Sequence, residues 1–305
     1  MQFGVHLPLT DFGQGLPSSA QLREYVVTAA ALDYAALAVN DHLLWQRPWL
    51  DGPATLTAVH AQAGSMALVT SISLPVVRHP AVVAKWLTTL GCLTDQRIVA
   101  GLGPGSSAAD YAVVGLPFDQ RWARFDEAFA AVRALVRGEG PEGGDFYDLR
   151  DVHLAPVPEV APEVWFGSWG SELRLRAMSR LADGWMASGY NTTPQRFAET
   201  RRRLDAHLRA AGRDPTTFPD LIATVWLYVS DDQAPAERLL RDVLAPILQR
   251  DARQLAAQLP IGSADHCIEL LSAYAQAGAR LLLLWPIHDP VQQLHVFHDR
   301  VTPWL

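Results

Sequence analysis

The chain has 305 residues, 49% hydrophobic and 19% charged, a composition that excludes disordered and fibrous classes and supplies one large core or two modest ones. Its formal net charge of −7 argues against nucleic acid or an anionic membrane surface as partner, because clustered cations are needed to neutralise either. The longest uncharged stretch, Gly52 to Val77, is broken by Gly, Pro, Ser, Thr, Gln and His and could not form a membrane-crossing helix. The first basic residue is Arg23, too far in for the cationic start of a secretory leader, so a cytoplasmic location is expected. Cys92 and Cys267 lie far apart with no CxxC partner; they suggest neither a disulfide nor a thiolate metal site and read as small core residues. Lys85, the only lysine, falls in an apolar helical pattern, which argues against a Schiff-base enzyme.

Along the chain, short β-branched runs alternate with stretches whose apolar residues recur every three or four positions. The runs are Phe3 to Leu7, Ala35 to Val39, Ala67 to Ile72, Ile98 to Leu102, Val164 to Gly167, Gly184 to Ala187, Leu221 to Val229 and Arg280 to Trp285. Between the first two, Ser18 and Gln21 form a capping box ahead of Leu22, Tyr25, Val26, Ala29 and Leu32. Further helices are signalled by Val83, Trp86, Leu87 and Leu90, by Trp122, Phe125, Phe129 and Val132, and by Thr193-Pro194. Continuously apolar strands, each followed by an amphipathic helix, are what a helix-covered parallel sheet requires. Eight repeats favour closure, so the fold class is α/β, a single (β/α)8 TIM barrel over 1–305. A loop or hairpin insertion is expected around 138–162, where Gly, Pro and acidic residues break the rhythm.

In such a barrel the loops after the strands build the site. Asn40-Asp41-His42 follows the second strand, and the ionisable pair Asp41 and His42 can polarise or deprotonate a bound group; a helix cap beside a satisfied histidine is the bland alternative. Thr70-Ser71 ends the third strand, and Gly101, Gly103 and Gly105 alternate after the fourth, a spacing that is not the dinucleotide fingerprint. Gly167-Ser168-Trp169-Gly170 precedes a helix and could offer amides to a phosphate, with a sharp strand-to-helix turn as the equal alternative. For Asp110 an acid role and a plain helix N-terminal charge stand equal. His295 and His298 lie on the last helix and read as a solvated face, and no metal-ligand set is expected.

In order along the chain stand Ala38-Val39-Asn40-Asp41-His42-Leu43, Thr70-Ser71-Ile72 through Arg78-His79-Pro80 to Lys85, Gly101-Leu-Gly103-Pro-Gly105, Tyr111 to Gly115, Pro117-Phe118, Arg121, Arg124 to Ala128, Val164 to Gly167 and Leu181 to Trp185. This ordered set resembles the luciferase-like monooxygenase superfamily, especially its branch using the deazaflavin coenzyme F420. The resemblance implies an oxidoreductase with coenzyme F420 or FMN over the barrel mouth, flanked by Asp41, His42, Ser71 and Ile72, with a non-proline cis peptide between Ser71 and Ile72. It further implies Gly167 and Ser168 at the cofactor phosphate, Gly103 and Gly105 along its tail, and His42, aided by Asp41, as the acid/base. His6, Trp45, Trp169 and His288 are candidate substrate-pocket residues, Trp49 a further wall, and a homodimer is implied. The chain departs from many relatives in Gly167-Ser168, where they carry Gly-Gly, and in Asp110, where they carry a glutamate motif.

The first reading is hydride transfer between deazaflavin and a small organic substrate. The second is an FMN monooxygenase that takes reduced flavin from a flavin reductase and activates oxygen; the third is a flavin-binding protein without turnover. A metal-dependent hydrolase on the same fold would need an HxH pair after the first strand, where the chain reads His6-Leu-Pro.

Overall fold

All the runs expected as strands are strands, within two residues at either end. They are β1 (Gln2–His6), β2 (Ala36–Val39), β3 (Ala67–Ser73), β4 (Ile98–Leu102), β5 (Glu163–Gly167), β6 (Gly184–Ser188), β7 (Asp220–Val229) and, after a two-residue edge strand β8 (Ile261–Gly262), β9 (Leu281–Pro286). The computed structural model describes residues 1–305. Every pairing is parallel, in the order β6-β5-β4-β3-β2-β1-β9-β7, and β6 pairs with β7 to close the barrel. The eight outer helices are α1 (Ser19–Ala31), α2 (Gly52–Val59), α3 (Pro80–Leu93), α4 (Arg121–Leu135), α5 (Glu172–Leu181), α6 (Pro194–Ala210), α7 (Ala264–Gln276) and α8 (Pro290–Arg300). Ser18 and Gln21 form the capping box of α1, and Thr193 caps α6 with Pro194 in its first turn. No helix is long and apolar enough to cross a membrane.

Strand alternation sorts the apolar residues into two layers. Leu37, Val39, Leu68 and Ile98 face the helices and join the main core, whereas Ala36, Ala38, Val69, Val99, Trp165, Met186 and Leu283 fill the lumen. A third cluster lies over one side of the mouth. It is built on the segment between β7 and β8, with Leu240, Leu244 and Leu255 packed with Trp226 and Trp285 from the ends of β7 and β9. This cap, residues 233–258 with a π-helical stretch at Leu239–Leu244, stands where a simple repeat would put the barrel helix, which comes after it as α7.

Segment 138–162 is an insertion without strands. A turn closed by the Gly144 amide on the Tyr147 carbonyl (3.2 Å) takes the place of a paired hairpin, and Glu127 of α4 accepts the amides of Asp145, Phe146 and Tyr147. Cys267 is buried as expected, but Cys92 is exposed, because α3 turns Val83, Ala84, Leu87 and Leu90 inward and leaves position 92 on its outer side. In the cationic run Arg201 to Arg203, Arg201 pairs with Asp205 and Asp220 and Arg203 with Glu172, so two of the three charges are matched within the chain.

Gly101 belongs to the lumen: a Cβ there would sit 2.1 Å from Met186 Sδ and 2.4 Å from the Thr70 carbonyl. The latter is backbone and cannot move aside. Gly101→Ala is therefore expected to cost about 3 kcal/mol or more, read as a lowered urea midpoint with unchanged slope.

Candidate active site

The strands deliver their last residues to one end of the barrel, and there the chain departs from regular geometry. β3 carries a register shift between Ser71 and Ser73, and the Ser71–Ile72 peptide is cis, as the resemblance implies. The bulge turns Ile72 to the mouth, half-buried between two glycines: a Cβ on Gly103 would meet Ile72 Cδ1 at 2.2 Å, and one on Gly167 would meet Ile72 Cγ2 at 2.7 Å. Those glycines thus make room for the bulge. β7 shifts register between Ile222 and Val225, and Thr224 holds φ +59°, a left-handed conformation that a β-branched residue rarely adopts.

Thr224 is held there by what it binds. Its amide donates to His6 Nε2 (3.2 Å), Ser71 Oγ lies 3.3 Å from the same nitrogen, and Asn40 lies 3.4 Å from both Ser71 Oγ and Thr224 Oγ1. His6 is fully buried and stacks on Trp285 with ring centroids 4.7 Å apart. Because Nε2 accepts, Nδ1 carries the proton, and it is buried without a partner. Burial pushes this imidazole down to about 3, so it is neutral at working pH.

At the rim, neighbouring side chains part company. His42 Nδ1 meets Asp110 Oδ2 at 2.7 Å, and Asp110 Oδ1 accepts the amides of Leu43 (3.0 Å) and Leu44 (2.8 Å). Asp110 sits on the short helix Ala108–Val113 and is only 1% exposed. Asp41 instead binds Arg78 through both oxygens (2.7 and 2.6 Å) and the Leu74 amide (3.1 Å), and Arg78 also pairs with Asp51. Burial works against the Arg78 charge, but its bonds to Asp41 and Asp51 outweigh that and raise it above its ordinary value.

Around His42 the rings of Trp45 and Trp49 lie 4.3 and 5.0 Å away, and the contact runs on from Trp49 to Trp285 (5.6 Å), Trp226 and, stacked on Trp226, Tyr190. Histidine Nε2 is the free nitrogen of the pair, and the His42 side chain keeps 15% of its surface open. A barrel of this kind, with an Asp-held histidine at a bulged mouth, is matched by the model of the luciferase-like monooxygenase family over residues 1–254. The chain belongs to that family.

Within it, the chain is 33% identical over 227 residues to an F420-dependent glucose-6-phosphate dehydrogenase of Beutenbergia cavernae, covering 72% of this chain and 66% of that one. It is 27% identical to another of Microbacterium testaceum, over 100% of this chain and 97% of that one. Among solved structures, an F420-dependent secondary alcohol dehydrogenase in complex with an F420-acetone adduct superposes with TM-score 0.86 at 18% identity, over 100% of this chain and 99% of that one. The monooxygenase RslO1 from Streptomyces bottropensis gives 0.84 at 21%, over 99% of each. At those identities the likeness of the structures speaks to the fold.

This luciferase-like barrel brings His42, Trp45, Ser71, Ile72, Gly103, Gly167 and His6 to one mouth. The other candidates make local contacts of their own. His288 pairs with Asp289 (2.9 Å) and lies edge-on to Tyr228, and Trp169 is 67% exposed. Gly105, at φ +78°, packs on Leu74. The Ser168 amide donates to the Met186 carbonyl and its Oγ accepts from Gly170 (both 3.1 Å), and α5, whose N-cap is Ser171, begins without a side-chain cap. A cavity of about 400 Å³ is lined by Thr10, Phe12, Leu16, Trp285, Ile287 and Asp289, and does not include His42. Trp226, Trp285 and Tyr190, which sequence reasoning passed over, carried one legible signal: each is a large ring in the later half of a strand or just past its end.

The His6 environment has a pH signature. The unfolded chain takes up this proton near 6.5 and the folded chain only near about 3, so acidification through that window favours unfolding by about 1.4 kcal/mol per pH unit. Urea midpoints measured at pH 6.5 and 4.5 should fall less in His6→Gln than in the parent.

Proposed function

We propose that the protein is a coenzyme F420-dependent oxidoreductase that transfers hydride between the deazaflavin and a small organic substrate, with His42 as the residue that moves the proton. The observation that carries this is the buried Asp110 carboxylate on His42 Nδ1, which fixes the proton on Nδ1 and leaves the Nε2 lone pair free at the mouth. The names of the curated relatives and of the alcohol dehydrogenase structure support the deazaflavin.

The residues present fit such a group. Ile72 offers a half-buried apolar back for a flat ring, and the glycines at 103 and 167 leave room for its side chain to lie at the mouth. The uncapped amides from Ser171 onward would hold a phosphate, and Glu172 beside them is matched by Arg203 and His207. When bound, oxidised deazaflavin supplies a ring carbon that accepts a hydride. His42 Nε2 receives the hydroxyl proton of an alcohol substrate, or returns it to a carbonyl in the reverse direction, and Asp110 stabilises the imidazolium so formed. Trp45 and Trp49 restrict water at the same place. Asp41 acts as a positioning residue, since both its oxygens hold Arg78 and one also holds the turn at Leu74. A flavin reductase partner belongs only to the FMN reading, and a homodimer rests on the family resemblance.

Titration of the purified protein with F420 and with FMN, followed by tryptophan quenching, should show tighter F420 binding. Preference for FMN would shift the protein to oxygen activation with reduced flavin, and binding of neither would refute the redox assignment. His42→Ala is expected to lower turnover by about 10²- to 10⁴-fold with F420 affinity unchanged, and Asp110→Asn to move it in the same direction through the wrong tautomer. Undiminished turnover in His42→Ala would remove this residue from the mechanism.

A further inference from the structure

The mouth around His42 is walled mainly by rings and aliphatic carbon, with the unpartnered indole N–H groups of Trp49, Trp226 and Trp285 as polar atoms among them. The rings around His42 continue through Trp285 and Trp226 to Tyr190, and the cap closes on them with Leu240, Leu244 and Leu255. Phe12 packs edge-on against both Trp226 and Trp285, so one wall is aromatic from the loop after β1 to the loop after β6.

Several cations near this surface bind protein acceptors, while Arg238 and Arg253 of the cap are exposed. Arg250, at the end of the cap, donates to Asn191 Oδ1 and lies over the Tyr190 ring at 6.0 Å, and Asn191 in turn donates to Ser188 Oγ (2.9 Å). This chain of contacts fastens the cap to the loop after β6. Arg47 donates to the Asp11 carbonyl at 3.2 Å, and Arg78 is matched by two carboxylates. Lys85 is on α3, bonded to the Ala155 carbonyl.

A phosphate ester lying against these rings would give up its hydration without gaining a fork from Arg47, Arg78 or Arg250, which already bind protein acceptors. A pocket with aromatic walls and one proton-handling group instead suits a ligand with an apolar body and a single reacting oxygen. Resting on the F420 reading above, we infer that the substrate is an uncharged alcohol, or the carbonyl compound it yields, with its apolar body against Trp45 and Trp49, and not a sugar phosphate of the kind named for the curated relatives. In the oxidative direction His42 Nε2 takes the hydroxyl proton, the carbinol C–H bond breaks, and its hydrogen leaves with both electrons to oxidised deazaflavin. The C–O single bond becomes C=O. The alcohol is oxidised, the deazaflavin reduced, and His42 passes its proton to solvent.

The test uses the whole chain, with F420 saturation first established by tryptophan quenching. Loss of deazaflavin absorbance is then followed with 2-propanol, cyclohexanol, 1-phenylethanol and glucose 6-phosphate, and calorimetry measures binding of cyclohexanone and glucose 6-phosphate to the cofactor-free protein. The best apolar alcohol should exceed glucose 6-phosphate in kcat/KM by roughly 100-fold, and cyclohexanone should bind with little dependence on salt. Trp49→Ala should raise KM for that alcohol by about 10-fold while F420 affinity stays unchanged; Trp45→Ala serves as the second variant should the first not fold. Glucose 6-phosphate oxidised as well as the alcohols, salt-sensitive binding of glucose 6-phosphate in place of the ketone, or oxidation of neither class by the F420-saturated protein would each overturn the inference while leaving the cofactor reading intact. Failure to bind F420 at all is a different result and refutes that reading with everything built on it.

Discussion

Asp110 receives three donors at once, His42 Nδ1 and the amides of Leu43 and Leu44, and in doing so ties the loop after β2 to the short helix after β4. A carboxylate that is 1% exposed needs such hydrogen-bond partners, and the two amides of the loop find in it their acceptor. Bonds to a charged acceptor are roughly twice as strong as neutral ones. The arrangement therefore fixes both the path of the loop and the plane of the imidazole, and Trp45 and Trp49 take their places around a ring that is already oriented.

The same loop is fastened from its other side. Consecutive residues in extended chain point in opposite directions, so Asp41 turns from His42 toward Arg78, which also holds Asp51 at the start of α2. One strand end thus feeds two separate carboxylate systems: Asp41 with Arg78 and Asp51 makes a framework, and Asp110 orients His42. Buried ion pairs of the first kind are poor sources of stability but costly to break from one side, which suits a role in holding geometry.

Most of the barrel was legible because its strands are continuously apolar and its helices carry caps and periodicity, signals that act locally. Asp41 and His42 read as one ionisable pair because adjacency in sequence looks like adjacency in space; the alternation of side chains at a strand end separates them. Asp110 could be weighed only as a helix charge or an acid, since its partner lies 68 positions away in sequence. Gly103 and Gly167 were expected beside the cofactor and Gly101 only as part of an alternating run, whereas in the fold they make way for Ile72 and Met186, a reason that exists only once the strands are side by side. The cap escaped notice for a related cause. Its leucines have helical spacing and follow β7, which is how a barrel helix reads, and only the packing of α7 and β8 shows that the segment lies over the mouth.

Two histidines share this mouth and differ in everything that governs a proton. His6 has no carboxylate beside it and no contact with solvent; burial keeps it neutral, and its accepting nitrogen holds the strained Thr224 amide in place. His42 has a carboxylate on one nitrogen and an open face on the other. A protonated ring at His6 would place an unmatched charge against Trp285 inside the barrel, whereas at His42 it would meet Asp110 directly. His6 thus belongs to the geometry of the floor, and His42 turns an open nitrogen to the rim. Environment alone divides two like groups, leaving one histidine to geometry and giving the other the surroundings that the proposed proton transfer requires.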